Sequence, residues 1–158
     1  MSDSLRAELG KVLDRYDEQR RAALAREEKV RDEDAQFLAQ FAGLRRSVVR
    51  PAFEIAAAML AERGHRASIT EHELSVGADS KVAEAAISLH VAAAAAPGAG
   101  QHAPARSLSI STRHYNRTVA IDAGRPMEGA KGTYVLEKLD PRLVEEELVK
   151  FVAAMAAA

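Results

Sequence analysis

Cysteine and tryptophan are both absent, and the aromatic content is four phenylalanines and three tyrosines in 158 residues. The missing cysteines exclude disulfides, thiolate nucleophiles and the usual structural zinc ligands together, and they fit a reducing cytoplasm, the location expected here. With so few rings, the core has to be built from Ala, Val, Leu and Ile. That leaves little material for a deep aromatic cofactor pocket, and no cofactor is expected. Excess charge of one sign is also missing: 22 Lys and Arg stand against 23 Asp and Glu. Such a balance gives no global field to gather phosphates, so no nucleic-acid partner is expected. No apolar run of about 18 residues exists to span a bilayer, and Asp3 and Glu8 sit where a secretory signal would be basic. The expectation is a soluble chain with no membrane insertion.

The charge that is present is unevenly placed. Residues 1–36 carry eight basic and ten acidic side chains, half of that segment, whereas the remaining 122 residues carry 27. Within the charged part, Leu5, Leu9, Val12 and Tyr16 follow the 4-3-4 spacing of a coiled-coil seam, and Val30, Phe37 and Leu44 continue it at seven-residue intervals. Gln19, Arg26, Glu33 and Gln40 interrupt the seam, so its early heptads are the better supported. Asp17/Arg21 and Glu27/Arg31 add acid-before-base pairs at helical spacing, each worth a few tenths of a kcal/mol. The pattern predicts a charged helical arm over 1–46, interrupted near "RDED" where Asp32 or Asp34 could cap a second helix. A helix this polar needs a partner face, because isolated helices are marginal. The partner is either a second copy or the same chain folded back as a hairpin.

Residues 47–158 read as a separate α+β domain. In "RPAFEIAAAMLAERGH", Pro51 suits a first helical turn, Phe53, Ile55, Met59 and Leu60 supply apolar surface, and Gly64 suits the end; this helix is expected to be mostly buried. Strands are predicted at 67–74, 82–91, 106–113, 117–123 and 132–139, joined by links too short for crossover helices, hence an antiparallel meander. The low-complexity stretch 92–104 reads as a loop. Asp140 and Pro141 open a last helix with an apolar stripe from Leu143 to Met155. Parity completes the picture: Ala85, Ile87, Leu89 and Val91 share one face, and a hairpin turning on Tyr115 and Asn116 sets Ile110 opposite Ile121 and Thr112 opposite Val119. The sheet then has an oily face for two covering helices and a small-polar face for water, a two-layer domain with about five strands.

Few residues invite chemistry. The five histidines, His65, His72, His90, His102 and His114, fall one per element with no i,i+4 pair, so no metal site is expected. Glu71 and Glu73 in "EHE" lie on one side of a strand, where paired acids can share a proton but more often discourage edge-to-edge aggregation. "RRSVVR" offers Arg46 and Arg50 as i,i+4 neighbours beside Arg45, read as a solvated face. "PGAG" and "GAKGT" lack the strand-to-helix context of a phosphate loop, and no catalytic residue is assigned. "STRHYNRTVAI" gathers Arg113, His114, Tyr115 and Arg117 at one hairpin end. Turn chemistry accounts for the Asn, and the cations and ring form a candidate grip for an acidic partner.

The expected function is a non-enzymatic interaction or assembly protein. In it the arm, through Leu5, Leu9, Val12 and Tyr16, makes a homodimer or docks a protein partner. A second reading is a small-molecule ligand held between the sheet and its helices, and an enzyme of unknown class is a third.

Overall fold

The computed structural model describes residues 3–94, 105–123 and 132–156. The chain divides into two compact units, Met1–Phe37 and Leu38–Ala158. Most of the 92–104 stretch, His102, all of "PGAG" and the start of "GAKGT" lie outside the described residues. No described helix is long and apolar enough to cross a membrane.

The first unit is helical throughout its described length. Helix α1 runs Asp3–Leu44, its last turns belonging to the second unit, and it passes through "RDED" without a break. The expected interruption does not form. The stretch holds neither Gly nor Pro, and Glu, Lys, Arg and Gln around it are good helix formers, so Asp32 and Asp34 stay inside the helix instead of capping a new one. The irregularity comes later. Residues Arg45–Val49 form a π turn, and α2 (Arg50–Glu62) follows with helical backbone on both sides of the junction. Pro51 explains why: it has no N–H to give the Ser47 carbonyl and its ring crowds that carbonyl, so the ladder widens, and the Arg50 N–H bonds the Arg45 carbonyl five residues back. Gly64 closes α2 as expected. It sits at φ +87°, while its N–H bonds Ala61 O at 3.0 Å and the His65 N–H bonds Leu60 O at 3.0 Å, the paired bonds of a Schellman motif.

The second unit is α+β. Strands β1 (Arg66–His72), β4 (Ala86–Ala92), β5 (Arg106–Arg113), β6 (Thr118–Asp122) and β7 (Gly132–Val135) form one antiparallel sheet in that order. A two-residue hairpin, β2 (Ser75–Val76) with β3 (Val82–Ala83), interrupts the passage from β1 to β4. The predicted 82–91 strand is therefore two pieces, and the predicted 132–139 strand ends at Val135, where a 3-10 turn, Leu136–Lys138, leads towards α3 (Pro141–Ala156). Asp140 caps α3 as its sequence position implied, accepting the Leu143 N–H at 2.8 Å on its side chain.

The register follows from alternation. Ile110 pairs with Ile121, Thr112 with Val119, Leu89 with Leu108 and Ile87 with Ile110. All but Ile121, at 2%, are completely inaccessible on the oily face. Two helices cover this face, α2 on β1 and β4 and α3 on β5, and they touch each other. The cover differs from two separate amphipathic helices, because α2 continues from α1 through the π turn. Phe41 and Val49, upstream of α2, are fully buried with Phe53, and Val144, Leu148 and Phe151 are buried from α3. Each such side chain contributes about 1.5–3 kcal/mol. Contrary to expectation, α2 is only partly buried: Phe53 and Leu60 go inside, while Ile55 and Met59 remain 65% and 54% exposed. A 3.6-residue period lets one stripe of a helix face the sheet, and these two residues lie off that stripe.

Candidate functional site

Residues 114–117 form the loop between β5 and β6, bounded by the Arg113–Thr118 pair. The loop is centred where the sequence placed it, but the left-handed residue is Arg117, at φ +54°, and not Asn116. Asn116 serves the turn through its side chain instead, accepting the Thr118 hydroxyl at 2.6 Å. Tyr115 is 69% exposed. Arg113 donates from Nη1 to the Tyr115 hydroxyl at 2.9 Å, and the His114 and Tyr115 rings meet edge to face at 6.0 Å. Glu84, just after β3, takes the His114 backbone N–H at 2.9 Å and pairs with His114 Nδ1. Arg113, His114 and Tyr115 are thus brought together, with Arg117 half-buried at the last loop position. Beside them opens a cleft of about 360 Å³, walled by Glu84, Arg113, His114 and Tyr115 among others. Arg113 Nε is buried and has no hydrogen-bond partner. No local pattern marks Glu84 as a member of this group, since it lies thirty residues away and only strand pairing brings it across.

The second cluster joins "EHE" at 71–73 with "RRSVVR" at 45–50. Parity points Glu71 and Glu73 to the same side as Ile69, towards the helices, where an unpaired carboxylate is costly. Arg45, 8% exposed, answers them: Nε lies 3.4 Å from Glu71, Nη2 pairs with Glu73, and Nη1 donates to His72 O at 3.0 Å. Its guanidinium stands 5.8 Å over the Phe41 ring. Arg50 Nη1 reaches the other Glu71 oxygen at 3.1 Å, and Arg50 Nε meets Glu54 at 2.8 Å. In an α-helix, residues five apart point about 140° away from each other. The π turn brings Arg45 and Arg50 to one side, so both reach Glu71. The expected Arg46/Arg50 pair is replaced by this one, and Arg46 is exposed. The two acids are ion-pair partners of the arginines.

Of the four described histidines, His65 and His90 are likewise occupied, as is His114. His90 bonds Thr70 through Nε2 and Ser107 through Nδ1, both at 2.7 Å, bridging three strands on the polar face, and Ser88 meets Ser109 at 2.7 Å beside it. His65 Nδ1 accepts the Ala94 N–H at 2.9 Å. Among the described residues no group of three His, Asp or Glu is placed to hold a metal ion.

Two apolar surfaces remain. An open groove of about 670 Å³ runs between α2 and α3, with Ile55, Met59, Leu148, Val149 and Val152 along its walls and Arg63 and Glu145 among its lining. Its described lining comes from α2, from Arg63 just after it and from α3, and none of it from the sheet. On α1, the seam residues Leu5, Leu9, Val12 and Tyr16 are 45%, 48%, 63% and 61% exposed, and Val30 is 50% exposed. Arg6, Glu8, Arg15, Arg20, Glu27 and Lys29 flank them, all exposed. No family model, curated protein or solved structure matches the chain.

Proposed function

We propose that this is an assembly protein in which α1 joins two copies of the chain and Leu38–Ala158 forms the folded body. What carries the reading is the run of exposed seam residues, Leu9, Val12, Tyr16 and Val30, on a helix whose remaining surface is mostly charged and alanine, with Leu13 and Leu24 exposed outside the seam. A second copy of the same stripe removes these side chains from water at no cost to the charged faces, which stay solvated. The test is sedimentation equilibrium at tens of micromolar with Leu9→Asp/Val12→Asp as the control. The native chain is expected as a dimer, the variant as a monomer with unchanged melting of the body. A monomeric native chain rules the reading out. Within this reading the hairpin tip contacts an acidic group of a further partner, and the gathering of Arg113, His114 and the exposed Tyr115 at one end of the hairpin supports that role.

The α2–α3 groove favours a second reading, a small apolar ligand. Its walls are aliphatic and Arg63 is the cation among the lining residues, so the ligand class it suits is a hydrocarbon chain ending in a carboxylate. A fluorescent fatty acid should bind the native protein and bind at least about tenfold more weakly to Met59→Asp, a loss of about 1.4 kcal/mol. Equal binding by both dismisses the groove.

A further inference from the structure

Resting on the reading of α1 as the joining element, we infer that the two α1 helices run antiparallel, in a register that sets Val12 opposite Ala23 of the second copy. The charges choose the direction. In a parallel, in-register pair each seam residue meets its own copy, so Arg26 would face Arg26 inside the seam, and Arg15 would lie beside Arg20 of the other helix. The first sets like charges together inside the seam, where a coiled coil is least hydrated, and the second sets them together along its flank. Reversing one helix removes them.

With Val12 opposite Ala23, Leu9 lies against the aliphatic stem of Arg26, whose head extends to water, Tyr16 lies against Gln19, and Leu5 lies against Val30. The flanking rows then match in sign. Glu8 meets Lys29 of the second copy on one side and Arg6 meets Glu27 on the other, and symmetry repeats each pair. Arg15 comes opposite Ala22 and Arg20 opposite Leu13, so no like-charged pair remains in this register. All four of the matched charges are exposed on α1, as are Leu9, Val12, Tyr16 and Val30.

The absence of cysteine makes the direction directly readable. In the full-length chain, Val12→Cys/Ala23→Cys is expected to give an oxidised covalent dimer on a non-reducing gel, whereas Val12→Cys and Leu9→Cys alone are expected to stay uncrosslinked. A bridge within one helix cannot mimic this, since eleven residues of helix span about 16 Å, beyond the reach of a disulfide. Ready crosslinking of both single variants, in a chain that sediments as a dimer, overturns the antiparallel arrangement while the assembly reading stands. A dimer that no variant crosslinks overturns the register, and a monomeric native chain overturns both.

Discussion

Arg45 is the residue on which the sequence is most easily misread. In "RRSVVR" it is one of three arginines with nothing to separate it from Arg46, yet one is buried and the other exposed. The difference arises from Glu71, Glu73 and the His72 carbonyl, all more than twenty-five residues away, so no local pattern carries it. Replacing Arg45 with Met keeps much of the stem's volume over Phe41 but leaves the His72 carbonyl without its donor. Glu71 retains Arg50, and Glu73, 75% exposed on its side chain, is rehydrated. The expected cost is about 1–3 kcal/mol, the range for leaving a hydrogen-bond acceptor unsatisfied. Glu73→Gln should cost less than about 1 kcal/mol, as for other exposed partners. Urea unfolding checks both: the midpoint of the Met variant should fall clearly more, with unchanged slope. Equal midpoints would mean that the cluster contributes no more than a surface ion pair.

At the scale of elements, the strands and their pairing were legible and the junction of the helices was not. Alternation in "AISLHVA" and "SLSIST" is enough to place Ile87, Leu89, Leu108 and Ile110 on one face, because a one-residue slip would expose all of them. The caps at Gly64 and Asp140 were legible for the same reason, each being a local requirement of backbone geometry. Pro51 reads equally well as the start of a new helix or as the cause of a π turn in a continuous one. The choice was made by burial upstream, at Phe41, Arg45 and Val49. This gives the π turn a measurable value. Deleting Ser47, which is exposed and whose hydroxyl bonds the Gly43 carbonyl, would leave Arg45 and Arg50 four residues apart, about 40° from each other on an α-helix and still on one side, whereas inserting an alanine after Ser47 would turn everything before it by about a further 100° relative to α2. With the insertion, Phe41 and Arg45 would leave their sites. The insertion should cost at least about 3 kcal/mol, the scale of a lost core phenylalanine, while Ser47→Ala stays within about 0.5 kcal/mol. An insertion variant as stable as the native chain would show that the helix tolerates either register.

For the whole molecule, composition marked off the charged arm near residue 36, and the compact units divide at Phe37 and Leu38. Charge density changes where the helix stops contributing to a core, which is why the composition tracks the division. Sequence pattern alone placed the start of the second domain at Ser47, just before Pro51, which suits the first turn of a new helix. The two choices predict different fragments. Residues 34–158 retain the buried Phe37, Phe41 and Arg45, and lack Leu9, Val12, Tyr16 and Val30. That fragment should unfold cooperatively and sediment as a monomer. Residues 47–158 lose Phe41 and the arginine that neutralises Glu73 and half of Glu71's charge-pairing. Removing a buried phenylalanine costs about 3–5 kcal/mol, against the 5–15 kcal/mol that holds a typical domain folded. The shorter fragment should therefore melt well below the longer one or unfold without a cooperative transition. Calorimetry of the two, side by side, decides it. Matching melts would mean that Phe41 and Arg45 are buried without stabilising the body, and that the second unit is energetically complete from Ser47 onward.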